Sequence, residues 1–202
     1  MSSFVGHSLA GMSVALAIGV NQTGRKRRGL VIIVAALAVL PDIDVLVYLT
    51  FGALGMTPHR GLTHTLLFAT MISSALAAIS RSYFAMTFCR AFLLFTGVML
   101  SHLLLDYLMG CGPAVPFFWP LSNHGYLFPY KVAPTAYYGL SATELISLLF
   151  YPPAIIGILL EVLIFLPPFS ILSHKSTIPR WCLIAMSIIS LVCSIRMYNR
   201  LP

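Results

Sequence analysis

The sequence predicts an all-α, polytopic membrane protein with about six transmembrane helices, a broken second helix and an aromatic extracytoplasmic loop. Of its 202 residues, 59% are hydrophobic, and the mean hydropathy is +0.94. Soluble domains are roughly 45–50% apolar. Several apolar runs approach the ~20 residues that a helix needs to cross a hydrocarbon layer about 30 Å thick. We therefore expect a single integral membrane domain over residues 1–202.

Six transmembrane spans are predicted. They cover about residues 4–20, 30–52, 63–80, 91–109, 143–166 and 181–199. The first is interpreted as a helix and not as a signal peptide, because its positive charges follow the apolar stretch instead of preceding it. The second contains Pro41, so its regular hydrogen bonding is expected to break there. The fifth contains Pro152 and Pro153 and is expected to end at Pro167 and Pro168.

Charge and aromatic content predict the orientation in the membrane. Residues 21–29, 81–90 and 167–180 hold eight of the twelve Lys and Arg, so they are expected to face the cytoplasm and the N-terminus the other side. The connector 110–140 is rich in Pro, Gly and aromatic residues, and Trp and Tyr favour the headgroup region. The net charge of +7 lies at helix ends and not in a basic stripe, so nucleic acid is not an expected partner.

The few charged residues are placed unusually. Only 8% of the residues are charged, yet all three aspartates and four of the six histidines lie in or beside apolar runs. An ionised carboxylate at the centre of a membrane helix costs about 3 kcal/mol on insertion scales, so these need a cation, a proton or a metal ion. Counting 1.5 Å per helical residue from the cytoplasmic end places six of the seven at about 17–25 Å, with the seventh just beyond. The seven are His7, Asp42, Asp44, His59, His64, His102 and Asp106.

Three local motifs carry most of these side chains. His102 and Asp106 are an i,i+4 pair, which suits two ligands of one ion or a ligand with its orienting carboxylate. Asp42 and Asp44 follow a helix break and would repel each other unless a cation lay between them. Residues 59–64 (His-Arg-Gly-Leu-Thr-His) put two imidazoles and a guanidinium at a loop-to-helix junction. The simpler alternatives are an intrahelical contact, a helix cap and a polar cap at the membrane surface, respectively.

Together the motifs predict a divalent metal site. Imidazole and carboxylate are preferred by zinc and also suit manganese or iron. The candidate ligands are His7, Asp42, Asp44, His59, His64, His102 and Asp106. One catalytic zinc generally takes three protein ligands and keeps an open position. Either two ions therefore share the site, or some of the seven support the ligands or act as general base.

The order and spacing of four motifs resemble the membrane-bound metal-dependent hydrolases of the YdjM type, described as LexA-binding, inner-membrane-associated hydrolases. The motifs are His7, residues 41–44, residues 59–64 and residues 102–106, and the step at 119–121 fits the same pattern. The resemblance covers about the first 110 residues. It implies a bacterial or archaeal cytoplasmic-membrane protein with a divalent metal and a hydrolytic activity, but it implies no substrate. The metal-site core is expected at about 1–125 and the C-terminal helices at about 143–199.

The leading hypothesis is metal-dependent hydrolysis near the outer leaflet, on a phosphoester of a lipid or lipid-linked substrate. The catalytic candidates are His7, Arg60 and Asp44, and His7 is either a ligand or a proton shuttle. The fork of Arg60 matches a phosphate. A divalent-cation or proton-coupled transporter is the alternative, because intramembrane His and Asp also line ion pathways. A membrane scaffold with a structural metal is the third. The expected partners are the bilayer and an amphiphilic substrate.

Overall fold

The computed structural model describes residues 3–18, 22–51, 59–108, 112–130, 150–172 and 178–198. In these ranges the regular secondary structure is helical, and the only β pairing is an isolated bridge. The α-helices are α1 (Phe4–Ala17), α2 (Gly24–Val39), α3 (Ile43–Phe51), α4 (Leu66–Phe84), α5 (Phe88–Leu108), α6 (Pro152–Leu172) and α7 (Arg180–Tyr198). The all-α prediction is therefore confirmed.

Four helical segments are long and apolar enough to cross a membrane. They are Gly24–Val47, Leu66–Phe84, Phe88–Leu108 and Ile155–Leu172. Helix α1 is also apolar but shorter. Large apolar side chains point away from the protein interior; Ile79, for example, is 78% exposed. Such a surface suits helices whose surroundings are lipid tails.

The second predicted span is interrupted where Pro41 predicts it. Helix α2 ends at Val39, a single 3-10 turn covers Leu40–Asp42, and α3 begins at Ile43. Proline has no N–H to donate within a helix, so the regular hydrogen bonding cannot pass through it. The turn directs Asp42 inward, where it is buried, and leaves the neighbouring Ile43 exposed.

The prediction for the fifth span is wrong at its prolines. Helix α6 begins at Pro152, and it continues to Leu172, so that Pro167 and Pro168 lie inside it. Proline suits the first turn of a helix, where its missing N–H would have had no helical partner. Interior prolines are tolerated in membrane helices because neighbouring groups and local adjustments satisfy the freed carbonyls. Residues 143–149 of the predicted span lie outside the described residues.

Helix α1 is central to the packing. It contacts α2, α5 and α6, while α4 packs against α5 and α7 against α6. Small residues allow the close approach of α1 and α2: a Cβ added to Gly11 would lie only 2.6 Å from the Cβ of Ala38, as at other membrane helix contacts. One helical turn before Gly11, His7 is consequently buried between the helices.

Residues 112–130 form an irregular segment against the ends of α4 and α5. The carbonyl of Phe117 accepts a hydrogen bond from the N–H of Leu66 at 2.9 Å, and that of Tyr107 accepts from Phe128 at 3.2 Å. Aromatic rings of the segment pack against one another and against Tyr107. Residues 112–130 are the described part of the predicted aromatic connector. Residues 131–140 of that connector lie outside the described residues.

Candidate metal centre

Asp42 lies in the middle of a buried polar cluster. One of its oxygens is 3.5 Å from His102 Nε2 and 3.6 Å from His64 Nε2, and it is 3.8 Å from His59 Nε2. Neither carboxylate oxygen has a hydrogen-bond partner among the described residues. Buried charges in proteins are paired or coordinate metals, because the loss of hydration is otherwise too costly.

Asp44 has a different environment, since it is fully engaged with the loop that precedes α4. Its Oδ2 accepts hydrogen bonds from the N–H of Arg60 at 2.9 Å and the hydroxyl of Thr63 at 3.0 Å, with the N–H of Gly61 more distant at 3.4 Å. Its Oδ1 lies 3.1 Å from Nδ1 of His59. Asp44 therefore shapes the loop and orients an imidazole.

Arg60 connects this loop to α5 and to the irregular segment. Its φ of 60° is left-handed, an uncommon conformation for a non-glycine residue that recurs at functional sites. The residue as a whole is 3% exposed, and its side chain is fully buried. Its Nε donates to Oδ2 of Asp106 at 3.0 Å, and its Nη1 donates to the carbonyl of Pro113 at 2.5 Å. Arg60 therefore fixes Asp106, while its predicted contact with a substrate phosphate stays a prediction.

Hydrogen bonds at Nδ1 orient three of the histidines. In His102, Nδ1 lies 2.8 Å from the carbonyl of Ala38, which can only accept. In His59, Nδ1 faces Asp44. In His64, Nδ1 lies 3.1 Å from the hydroxyl of Thr63, whose proton already goes to Asp44. Each ring thus carries its proton at Nδ1 when neutral and presents a lone pair at Nε2, as metal-ligating histidines do.

The donor atoms converge at ligand-like distances. Nε2 of His64 lies 3.3 Å from Oδ2 of Asp106 and 3.2 Å from Nε2 of His102. Ligand atoms around a tetrahedral zinc ion, each about 2.0–2.1 Å from it, are about 3.4 Å apart. Two lone pairs at such a distance repel unless a proton or a metal ion is shared between them. The residues therefore fit a divalent transition metal.

The donors form two groups. In each group the donor atoms all lie within 4.8 Å of one another. The first group is Asp42, His59, His64 and Asp106, and the second is His7, His102 and Asp106. Every member is buried.

Carboxylates dominate the electrostatics of the two histidines outside the membrane-spanning helices. Burial alone would lower the pKa of His64, but contacts with three carboxylates outweigh burial and raise this pKa from 6.5 to about 10. These carboxylates are Asp106, Asp42 and Asp44. Burial is likewise outweighed at His59, whose pKa is raised by Asp106 and Asp44. The cluster therefore attracts positive charge.

His7 completes the cluster from α1. Its ring stacks on that of His102, with the centroids 3.7 Å apart and the planes inclined by 17°. Its Nε2 lies 3.6 Å from Oδ1 of Asp106. Neither ring nitrogen has a hydrogen-bond partner among the described residues, although an unsatisfied buried polar group costs about 1–3 kcal/mol.

Sequence comparison gives this cluster a family context. The profile of the YdjM inner membrane protein family matches residues 1–201. The chain belongs to that family. The predicted resemblance is thus confirmed, and the match extends well beyond the first 110 residues. The similarity therefore includes α6 and α7 as well as the metal-site core.

A curated relative is itself named as an inner membrane protein. The Escherichia coli (strain K12) protein named "Inner membrane protein YbcI" is 38% identical over 106 residues, which are 52% of this chain and 61% of that protein. The match spans less than two thirds of that relative's length. No solved structure matches the chain.

All seven predicted ligands lie in or beside the buried cluster. Six of them contribute to the two donor groups, whereas Asp44 supports His59 and the loop. Of the two histidines left out of the prediction, His124 contacts the ring of Tyr126, and His174 lies outside the described residues. The assignment of individual ligands stays a prediction.

Two contacts that support the site and the helix packing were not predicted from the sequence. The carbonyl of Ala38 orients His102, and no sequence signal marks a backbone carbonyl. Glu161 of α6 is fully buried and accepts hydrogen bonds from the N–H and hydroxyl of Ser3, the N-cap of α1. An acidic residue in an apolar helix is a usable signal, although its partner is not evident from the sequence.

Proposed function

We propose that this YdjM-family protein is a membrane-embedded, metal-dependent hydrolase that acts near the outer leaflet on a phosphoester of a lipid or lipid-linked substrate. One observation supports the metal ion above all. The carboxylate of Asp42 has no hydrogen-bond partner among the described residues, yet it lies beside the oriented Nε2 lone pairs of His64 and His102. Zinc suits this donor set best, with manganese or iron as alternatives.

The proposed membrane placement supports the choice of substrate. We propose six membrane-crossing helices, an extracytoplasmic N-terminus and an aromatic connector at the outer face. The positive charges at 21–29 and 81–90 support this orientation. Residues 112–130 pack at the end of α5 that carries Asp106, and Arg60 donates to Pro113 within them. A centre beside an aromatic segment at headgroup level is positioned for an amphiphilic substrate.

The protein's own residues would divide the work as follows. The first donor group (Asp42, His59, His64, Asp106) would hold the ion, and a bound ion would supply the Lewis acidity that makes water reactive near neutral pH. Asp44 and Arg60 act as positioning residues, the former on His59 and the latter on Asp106. A contact of Arg60 with the substrate phosphate would use the preference of guanidinium for phosphate.

Elemental analysis combined with a hydrolysis screen tests the proposal. Protein purified in detergent without chelators should retain a stoichiometric transition metal, and His64→Ala and Asp106→Ala should each deplete it. The metal-loaded wild type should hydrolyse a member of a panel of phospholipids and polyprenyl phosphates. Thr70→Ala is the control and should change neither property, because among the described residues Thr70 donates only to the carbonyls of Leu66 and Leu67 in its own helix.

Two results would contradict the proposal. Wild-type protein that retains no metal would exclude both the hydrolase and a structural metal. Metal-loaded protein that hydrolyses nothing in the panel, but carries divalent cations into liposomes, would instead support the transporter.

A further inference from the structure

Asp106 lies where the two donor groups meet. Its Oδ2 faces the first group, at 3.3 Å from Nε2 of His64 and 3.7 Å from Nε2 of His59. Its Oδ1 faces His7 of the second group, at 3.6 Å from Nε2 of that ring. This Oδ1 has no hydrogen-bond partner among the described residues, while Oδ2 is fixed by Arg60. Nε2 of His102 lies 3.8 Å from Oδ2. Oδ1 is thus directed at His7, while Oδ2 faces the other imidazoles.

The first group already supplies four donors, one more than the three that a catalytic zinc generally takes from the protein. His7 and His102 are then in excess. Both are fully buried, and their stacked rings hold them side by side next to Asp106. Because the Nδ1 of His102 is committed to the carbonyl of Ala38, its available nitrogen is Nε2. His7 has no hydrogen-bond partner among the described residues at either nitrogen.

We propose that His7, His102 and Asp106 hold a second divalent cation and that Asp106 bridges the two ions. This inference rests on the metal centre of the proposed function. Two-metal hydrolytic sites hold their ions about 3.5–4 Å apart and are typical of phosphoester chemistry. Helix α1 is in this arrangement part of the metal centre, because it supplies His7.

Metal stoichiometry tests the second site without reference to activity. Protein stripped with a chelator and reloaded with Zn²⁺ should bind two ions per chain. His7→Ala should bind one, and Asp106→Ala should lose high-affinity binding at both sites. Ser13→Ala is the matched control on α1 and should bind two ions, since in the described part of the chain Ser13 donates only to the carbonyl of Leu9 in the same helix.

Electron paramagnetic resonance of Mn²⁺-loaded protein provides a second measurement, in which the wild-type spectrum by itself already tests the bridge. Two ions bridged by one carboxylate should give a magnetically coupled spectrum in the wild type, and His7→Ala should give the spectrum of an isolated Mn²⁺. A wild type that binds one ion per chain with an uncoupled spectrum would overturn the second site and leave the proposed function intact. A wild type that binds neither Zn²⁺ nor Mn²⁺ would overturn both.

Discussion

The role of Asp44 gives the sharpest prediction. Both of its oxygens accept hydrogen bonds, Oδ2 from the loop and Oδ1 from Nδ1 of His59. In Asp44→Asn, only one of these positions can keep an acceptor. The amide oxygen should face the loop, which offers more donors, and the NH₂ group should then face His59. Since that NH₂ can only donate, His59 must move its proton to Nε2, where it blocks metal coordination.

The magnitude follows from this tautomer change. Loss of a residue that orients a ligand typically lowers metal affinity by about 10–100-fold, which corresponds to about 1.4–2.7 kcal/mol. The loop keeps its contacts to the amide oxygen, so the variant should fold. Asp42→Asn should cost considerably more, because Asp42 is itself a donor of the first group.

A competition titration with a Zn²⁺ chelator in detergent measures the affinity of wild type, Asp44→Asn, Asp42→Asn and the control Thr70→Ala. Thr70→Ala should match the wild type. An unchanged affinity in Asp44→Asn would refute the orienting role. A loss as large as that of Asp42→Asn would show that Asp44 is a direct ligand, as the sequence alone suggested.

Two further predictions concern protons and helix anchoring. The pKa of His64 is raised to about 10, so the stripped protein holds a proton there that the ion must displace. Apparent Zn²⁺ affinity should therefore rise about tenfold per pH unit for each displaced proton between pH 7 and 9. An affinity independent of pH would contradict ligation by His64. Glu161→Gln should lower the free energy of unfolding by about 2 kcal/mol, because an amide NH₂ replaces one of the two carboxylate oxygens that accept hydrogen bonds from Ser3. Ser187→Ala, which removes one neutral bond to the carbonyl of Ile164, should cost about 1 kcal/mol, and equal losses in the two variants would refute the special role of Glu161.

Residues that obey a local rule were predictable from the sequence. The break at Pro41 follows from a missing N–H, and the shared depth of the polar residues follows from the helical rise. The i,i+4 spacing of His102 and Asp106 places both on one face of α5, where the structure has them. These features depend on a few consecutive residues and on the requirement that a buried charge be compensated.

Features that depend on distant partners were not predictable. Asp42 and Asp44 differ by two positions and look equivalent in the sequence. Only the 3-10 turn followed by α3 turns the first towards the histidines and the second towards the loop. The bond between Glu161 and Ser3 joins residues 158 positions apart. Such a contact is not visible in the sequence pattern, because it is decided by how α1 packs on α6.

The buried charges themselves argue for the cation. Three aspartates and one arginine meet in the cluster, so two negative charges remain without a fixed cation when all three carboxylates are ionised. Protonated histidines can neutralise them, and the raised pKa of His64 shows this tendency. Protonation at Nε2 does not, however, explain why separate groups hold the Nδ1 atoms of His59, His64 and His102 in place. That pattern is explained by Nε2 atoms kept as ligands, with the charge supplied by metal ions instead of protons.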